Sequence, residues 1–347
     1  MQLSARDLNR TLLARQHLLE RSHHSVPAMV EHLIGLQAQE NLSPYLGLAA
    51  RIRDFDPRAV STGLEERGLV RLLTMRGTIH LLVPGDALSL RQWTQPRQDK
   101  ERAASQSIGE ARHLEPAVFA SAVSELLAHG PLSGKLLGVA LEERFPGLSP
   151  TALTNLARVN LPLAQLPPRG CWKQGGGVVY QYVDRWLERP LQAPQTETIV
   201  RRWLRAHGPG TSADVTAWSG VTGLGPVMKA MDDLVRHTDE SGRTLYDVAD
   251  APFVSGDRPA PVRLLGTYDN VWLSHAGRDR VTTPENRQRW MGLNGGNART
   301  VFVDGWLEGL WRIVDGAIEL ELFRALTRRE EQELDDEVER ARSLLAS

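Results

Sequence analysis

The chain has 347 residues, of which 41% are hydrophobic and 24% are charged. This length predicts several compact units, and the composition is typical of a folded globular protein and excludes wholesale disorder. The formal net charge of −1 argues against a uniformly basic, nucleic-acid-binding surface. The charges are unevenly spread, however, since residues 328–342 hold seven acids against four arginines, whereas residues 1–100 hold thirteen basic and ten acidic residues. The rest of the chain can therefore still present a basic face.

Targeting, redox and metal signals are weak. No segment approaches the ~18 to 20 uninterrupted apolar residues that span a bilayer, and residues 1–21 lack the apolar block of a secretory signal. We therefore expect a cytoplasmic protein. The single cysteine, Cys171, excludes an internal disulfide and a cysteine-based zinc site. His23 and His24 lack the spacing of a metal-binding pair, so we expect them to lie in a loop. We expect the protein to use no metal and no cofactor.

The first 50 residues predict three helices. A capping box at Ser4 begins a helix that runs to about Arg21. A second helix should begin at Pro27, and its apolar stripe ends at Gln37. Ser43-Pro44 repeats the pattern of a cap followed by proline and predicts a third helix. The segment between the second and third helices therefore forms a turn.

Three helices followed by a hairpin are typical of a winged helix. Residues 70–75 and 78–83 predict two strands around the turn Arg76-Gly77, which would be the wing of the first unit. The same order of elements recurs at 115–184 and 192–250. In the last of these, residues 225–236 predict a helix and residues 244–248 a strand. We therefore predict three tandem winged-helix units.

The C-terminal part changes character. Residues 258–323 contain glycines, valines and short alternating runs, which predict a small β-barrel or sheet. Residues 327–345 predict a terminal helix whose apolar stripe packs back on the body. The predicted fold is therefore α+β, with three tandem winged-helix units, a small β-barrel or sheet domain and a C-terminal helix. The predicted boundaries are 1–110 for the first winged helix with its linker, 111–190 for the second, 191–257 for the third, and 258–347 for the β-rich domain.

Gln37 is the first anomaly in the helical pattern. An amide on an apolar stripe must find hydrogen-bond partners or cost about 1 to 3 kcal/mol. Gln37 and Gln39 either satisfy backbone groups at the turn or are placed there for chemistry. From these two residues alone, the structural interpretation is favoured.

Short motifs along the whole chain give the pair more weight. Together they resemble the family of DNA glycosylases that includes AlkZ and YcaQ. The motifs that carry the resemblance are Leu-Asn-Arg at 8–10, Arg-Gln at 15–16, residues 36–39, Arg-Gly-Thr-Ile-His at 76–80, Leu-Pro-Pro-Arg-Gly at 166–170, Tyr-Asp-Asn-Val-Trp-Leu-Ser-His at 268–275, Val-Asp-Gly at 303–305 and Gly-Leu-Trp-Arg at 309–312.

The resemblance implies a fold and an activity. Members of the family are winged-helix DNA glycosylases that remove N7-alkylated purines, and some unhook interstrand crosslinks. Their catalytic motif is glutamine, an aliphatic residue, then glutamine or aspartate, which Gln37, Ala38 and Gln39 match. Glutamine at position 39 favours the AlkZ branch, associated with self-resistance in the producer of azinomycin B. The implied partner is double-stranded DNA with alkylated or crosslinked purines.

The chemistry of such lesions suits amide side chains. An N7-alkylated purine is cationic and leaves as a neutral base, so little leaving-group protonation is needed. We expect Gln37 to orient the attacking water, and Gln39 to fix that water or to interact with the sugar and lesion. No lysine is close to Gln37 in sequence, which favours a monofunctional enzyme. A crosslinked base cannot rotate into a deep pocket, so an open site is expected. We further expect a monomer that needs no obligate protein partner and that associates with the nucleoid.

Several cations are candidate phosphate contacts. Arg76 and His80 lie near the first predicted wing, although a structural histidine is the favoured interpretation of His80, so Arg76 is the better phosphate candidate of the two. The other candidates lie in the arginine-rich stretch after residue 277, where surface solvation is an equally good interpretation of each residue taken singly. The turn Asn294-Gly295-Gly296-Asn297 would tip a hairpin that enters a groove. These candidates are Arg278, Arg280, Arg287, Arg289 and Arg299.

Two other functions are consistent with winged helices. A transcription regulator or passive DNA-binding module would bind one sequence tightly and release nothing. An idle damage sensor would shield lesions, although intact Gln37 and Gln39 disfavour that alternative. A glycosylase, by contrast, should bind lesions with little sequence preference and leave abasic sites.

Overall fold

The structure is a computed structural model that describes residues 1–292 and 298–347. The chain divides into two compact units. Unit 1 contains Met1–Pro57, Thr196–Trp218 and Thr222–Ser347, and unit 2 contains Arg58–Gln195 and Ser219–Val221. Helices and sheets occur in both units, which confirms the α+β class. The predicted four-part division and the number of winged-helix units stay predictions.

Helices make up much of unit 1. Their bounds are Ala5–Arg15, Val26–His32, Ser43–Ala49, Thr196–His207, Ser212–Ser219, Leu224–Ala230, Asn270–Leu273, Pro284–Met291 and Arg328–Ala346.

Two sheets of unit 1 are open. In the first, Gln2–Leu3 pairs in parallel with Leu234–Asp239, which pairs in antiparallel with Thr244–Val248. The second is antiparallel throughout, and its register shifts between Val301 and Phe302. The predicted alternative of a sheet is therefore correct, and the described residues form no closed barrel there. The strands of this second sheet are, in order, Arg263–Leu265, Arg299–Val303, Trp306–Val314 and Ala317–Leu322.

Unit 2 contributes five strands to a sheet, and each of them is antiparallel to its neighbours among the five. The predicted hairpin is confirmed, because Val70–Leu73 pairs with Ile79–Leu82 around a 3₁₀ turn at Met75–Gly77. The strand order is Ile79–Leu82, Val70–Leu73, Leu163–Gln165, Val179–Tyr182 and Leu132–Ser133. The helices are Arg58–Glu65, Pro84–Trp93, Gln95–Ala104, Pro116–Leu126, Gly134–Arg144, Pro150–Asn160 and Val183–Leu187, with 3₁₀ turns at Gly109–His113 and Leu127–His129.

The first two helices end earlier than predicted. The Ser4 capping box is present, but the first helix ends at Arg15, and His17 adopts a left-handed φ of 54°. The second helix ends at His32, since Ile34 and Gly35 have φ values of 56° and 95°. The predicted helical stripe through Gln37 is therefore wrong, because this left-handed turn interrupts it before Gln37 is reached.

Ser43 is the first residue of the third helix rather than its predicted cap, and the later helices follow the predicted pattern with two further differences. Thr327 caps Arg328–Ala346, whose predicted apolar stripe is Leu334, Val338, Ala341 and Leu345. The first three are buried, but Leu344 is buried in place of Leu345, which is half-buried. The predicted helix over 225–236 is shorter, since it ends at Ala230 and the chain then enters Leu234–Asp239. Among the described residues, every helix is too short or too polar to cross a bilayer.

Candidate active site and DNA-contacting residues

The two glutamines of the candidate site follow the left-handed turn. Gln37 lies in the short strand Leu36–Gln37 and is 6% exposed, whereas Gln39 is exposed in the bend after it. Ala38 between them is fully buried. A β-branched residue such as Ile34 rarely adopts a positive φ, and such strain persists only where the surroundings enforce it. The turn thus directs one amide inward and leaves the other accessible.

Asn270 holds this turn from a distant part of the chain. Its side-chain N–H donates to the Gly35 carbonyl oxygen at 3.0 Å, and both residues are buried. The Gly35 N–H donates to Val30 at 2.9 Å, which closes the turn onto the preceding helix. The backbone two residues before Gln37 is therefore fixed on both sides.

A fully buried ion pair lies beside Asn270. Arg51 donates to both carboxylate oxygens of Asp269 at 2.7 Å, and neither side chain has exposed surface. The same guanidinium donates to the Gly47 carbonyl and to the side chain of Gln16. Asp269 also accepts the N–H of Val271 and caps the short helix that carries Asn270. The ion pair thereby holds in place the start of the helix from which Asn270 donates its hydrogen bond.

Glu40 places a carboxylate directly after the glutamine motif. The Ser43 hydroxyl donates to its Oε2 at 2.5 Å, and the Arg299 Nη2 lies 3.7 Å from its Oε1. Arg299 in turn lies over the Trp311 ring, with 5.5 Å from its Cζ to the ring centroid. Arg299 thus contacts the segment of the candidate site through Glu40.

The other predicted cations of unit 1 have different surroundings. Arg280 is buried and donates to the Pro209 carbonyl at 2.7 Å, and burial lowers its pKa. Arg278 is half-buried and donates to the His275 carbonyl. Arg287 and Arg289 are exposed, with the Arg289 guanidinium over the Phe323 ring. DNA contact stays a prediction for all of them, and exposure favours Arg287 and Arg289.

Arg76 and His80 contact each other within unit 2. The Arg76 Nη2 donates to Nε2 of His80 at 3.1 Å, while Nδ1 of His80 donates to the Thr78 carbonyl at 3.0 Å. Burial, followed by the nearby Arg76 charge, holds the pKa of His80 well below its usual range. His80 is therefore a neutral, buried acceptor, which suits the structural alternative. Its role in DNA binding stays a prediction, and so does that of half-buried Arg76.

The predicted hairpin tip, Asn294-Gly295-Gly296-Asn297, lies outside the described residues. Within residues 1–292 and 298–347, no cluster of three or more His, Cys, Asp or Glu side chains is arranged to hold a metal ion. Three histidine rings do pack together, two pairs tilted and one pair stacked, with ring centroids separated by 5.0 to 6.3 Å. They are His17, His24 and His32.

The residues that support the two glutamines are not among the site residues predicted from the sequence. Asp269 and Asn270 lie in the motif at 268–275, and their position in that motif was the available sequence signal for a role at the site. The motifs at 8–10 and 303–305 also contact each other, since Asn9 donates to the Gly305 carbonyl at 2.8 Å and Arg10 donates to Asp304. Short motifs that are far apart in sequence thus meet in pairs.

The chain is therefore an α+β protein in which two glutamines follow a strained, buttressed turn. The sequence profile described as DNA glycosylase AlkZ-like matches residues 30–344. A curated relative, the interstrand DNA cross-link repair glycosylase of Streptomyces sahachiroi, is 27% identical over 334 residues, which covers 91% of this chain and 89% of the relative. The solved structure of Streptomyces sahachiroi DNA glycosylase AlkZ superposes with a TM-score of 0.78 at 21% identity, covering 100% of this chain and 98% of the other.

The profile covers most of the chain, so the chain belongs to the AlkZ-like family of DNA glycosylases. The predicted resemblance is confirmed. The structural likeness adds that the fold of the whole chain is the one found in AlkZ.

Proposed function

We propose that this protein hydrolyses the N-glycosidic bond of N7-alkylated purines in duplex DNA, with Gln37 and Gln39 as its catalytic residues. The observation that carries the proposal is the pairing of a buried and an exposed amide, two residues apart, after a left-handed turn that Asn270 holds. Membership in a DNA glycosylase family supports the reaction class.

The proposed reaction needs no strong acid or base. Alkylation at N7 makes the purine cationic, so the bond from C1′ to N9 breaks as the base leaves in neutral form. The oxygen of a water molecule bonds to C1′, and the water releases one proton to solvent. A glutamine carbonyl oxygen accepts a hydrogen bond from that water and turns its negative dipole end toward the developing positive sugar.

We assign the two amides different roles. Gln37, which is buried, orients the attacking water, because a side chain held in one position limits the positions the water can occupy. Gln39, which is exposed, fixes that water from the solvent side or contacts the sugar and lesion. Neither residue is a nucleophile for the sugar, so the enzyme is monofunctional and leaves an intact strand with an abasic site.

We also propose that crosslinked purines are substrates. A base tied covalently to the opposite strand cannot be extruded fully from the duplex, so its enzyme must act at an accessible surface. The exposure of Gln39 supports such a site, and the Streptomyces sahachiroi relative is named for interstrand cross-link repair. Lesions of a genotoxic natural product of the azinomycin B type would then be substrates, and the role would be repair and self-resistance.

Exposed arginines supply the proposed grip on the phosphates. Arg287 and Arg289 project from the helix Pro284–Met291, and each phosphate contact should steepen the fall of affinity with salt. We propose that a single copy of the chain binds double-stranded DNA in this way.

The decisive experiment incubates purified protein with duplexes that carry one N7-methylguanine or one N7-linked interstrand crosslink. Alkali-labile abasic sites should appear in both, with no strand cleavage before alkali. Gln37→Ala should bind the duplex normally and lose excision, whereas Gln332→Ala, which removes an exposed amide from the C-terminal helix, should match wild type. Absence of product from both duplexes would refute the proposed activity, and sequence-specific binding without product would instead indicate a regulator.

A further inference from the structure

We propose that Glu40 determines the preference for positively charged substrates and that Arg299 limits its effect. The Glu40 carboxylate would stabilise the cationic purine of the bound substrate and, more strongly, the positive sugar of the transition state, so it would raise the excision rate as well as the affinity. This proposal rests on the proposed function and adds to the same site a formal negative charge, which the two neutral amides do not carry.

The structure fixes Glu40 in one place. Its Oε2 accepts from the Ser43 hydroxyl at 2.5 Å, and its backbone carbonyl accepts the Ser43 N–H at 3.3 Å. The side chain keeps 36% of its surface exposed. The carboxylate is therefore held by the helix that follows the motif and still faces solvent, where DNA would bind.

Glu40 is also close enough to act by charge. It follows Gln39 directly, and consecutive Cα atoms lie about 3.8 Å apart. Its carboxylate thus lies within about one Debye length, roughly 8 to 10 Å at moderate salt, of the Gln39 backbone. Gln37 and Gln39 carry no net charge, and Glu40 is the acidic residue nearest to them in sequence.

Arg299 is placed to weaken that field. Its Nη2 lies 3.7 Å from Glu40, and its side chain is only 21% exposed. It stands on the strand Arg299–Val303 opposite Trp311, and its guanidinium lies over the Trp311 ring. The Trp311 Nε1 donates to the Leu265 carbonyl at 3.0 Å, which fixes the ring. Arg299 is thus a rigidly seated counterion of Glu40.

Opposite effects of the two partners follow from this arrangement. Glu40→Gln keeps an acceptor for Ser43 and nearly the same shape but leaves the Arg299 charge beside the site. Arg299→Gln leaves the Glu40 charge unopposed. A charge effect over this distance predicts rate changes of roughly three- to tenfold, downward for the first variant and upward for the second.

Two abasic-site analogues test this directly. The pyrrolidine analogue is cationic and the tetrahydrofuran analogue is neutral, and otherwise they present similar duplexes. We expect wild type to bind the cationic duplex more tightly. Glu40→Gln should lower this binding ratio roughly three- to tenfold, and Arg299→Gln should raise it by a similar factor. Maximal single-turnover rates on N7-methylguanine should move in the same directions.

A second ion pair on the same sheet provides the control. The Arg312 Nη2 lies 2.6 Å from the Glu319 Oε2. Arg312→Gln and Glu319→Gln should leave the binding ratio at the wild-type value. The proposal is overturned if Glu40→Gln and Arg299→Gln shift the ratio in the same direction or leave it unchanged. Failure of wild type to excise N7-methylguanine refutes the proposed function separately, because the binding ratio needs no turnover.

Discussion

The side chain of Asn270 donates to the backbone carbonyl of Gly35 across 235 positions of the chain. This single hydrogen bond joins the short helix after Asp269 to the turn that precedes Gln37. It links a motif with no evident chemistry of its own to the candidate catalytic residues.

Asn270→Asp should therefore impair catalysis more than stability alone explains. The substitution keeps the shape but removes the donor, so the Gly35 carbonyl loses its partner at a cost of about 1 to 3 kcal/mol. We expect the single-turnover excision rate to fall about tenfold or more, because Gln37 is no longer held in position. Quenched time courses of base excision, recorded well below the unfolding temperature, measure this rate.

Asn286→Asp is the matched control, because Asn286 likewise donates its side-chain amide to a backbone carbonyl, that of Leu307, at 2.8 Å. It should lower stability and leave the rate unchanged. A normal rate in Asn270→Asp would show that the bond serves the fold alone.

Asp269→Asn should be among the most destabilising isosteric changes in the protein. It removes the charge opposite Arg51 where both side chains are fully buried, and an uncompensated buried charge costs about 3 to 5 kcal/mol. Urea unfolding monitored by circular dichroism measures the loss. Arg329→Gln, which breaks an exposed pair with Glu333, should cost less than about 1 kcal/mol. Equal costs for the two variants would contradict the assigned role of the buried pair.

Gln39 should tolerate aspartate but not alanine. Aspartate keeps a carbonyl-type oxygen that accepts from water, and the exposed position of Gln39 spares it a desolvation cost. Gln39→Asp should therefore retain excision within about tenfold, whereas Gln39→Ala should lose about 10² in rate. The measurement is the single-turnover rate on N7-methylguanine duplex. Equal losses in both variants would mean that the amide nitrogen, not the oxygen, is required.

Acid should weaken the fold through its histidines before its carboxylates respond. Burial, aided by His32, His24 and Arg51, lowers the pKa of His17 to about 4. Because the folded pKa lies below the unfolded value of about 6.5, the unfolded state binds more protons as the pH falls. Stability should be full above pH 6.5 and decline progressively between pH 6.5 and 4, and thermal unfolding across that window measures it.

His17→Asn isolates this contribution. Asparagine tolerates the left-handed φ of 54° and does not titrate. The variant should show a shallower decline between pH 6.5 and 4 than wild type, and an unchanged slope would exclude His17 as a source of the acid sensitivity.

Gly305 and Gly316 separate backbone strain from steric conflict. Their φ values are 79° and 80°, but a Cβ at Gly305 would lie 2.6 Å from both Asn9 and Arg10, whereas one at Gly316 would meet nothing within 4 Å. Gly316→Ala should cost about 1 kcal/mol from backbone strain alone. Gly305→Ala should cost about 1 to 3 kcal/mol more, because it forces apart the contact between two motifs. Similar unfolding free energies would contradict that contact.

Much of the fold could be predicted because its signals are local. Caps such as Ser4 and Thr327 and the hairpin around Arg76 depend on neighbouring residues only. The prediction of a helical stripe through Gln37 was wrong because the spacing of apolar residues does not reveal a left-handed turn at Ile34. That conformation is enforced by tertiary contacts, among them one from residue 270.

The candidate site was predictable only in part for the same reason. Family resemblance pointed to Gln37 and Gln39, but their support by Asn270 and the Glu40 pair with Arg299 join residues more than 200 positions apart. The arginines show the same limit, since nothing in the composition around Arg280 distinguishes its burial from the exposure of Arg287. Side-chain burial is a property of the assembled core.

The divided course of unit 1 has a consequence for biosynthesis. Residues 58–195 of unit 2 form one continuous stretch, whereas Arg10, Arg15 and Arg51 find their carboxylate partners only after residue 240. At about 5 to 20 residues per second, translation keeps the first segment waiting on the order of ten seconds. Unit 2 has all but residues 219–221 of its sequence during that interval, and the segment with Gln37 and Gln39 gains its final surroundings only once translation is almost finished.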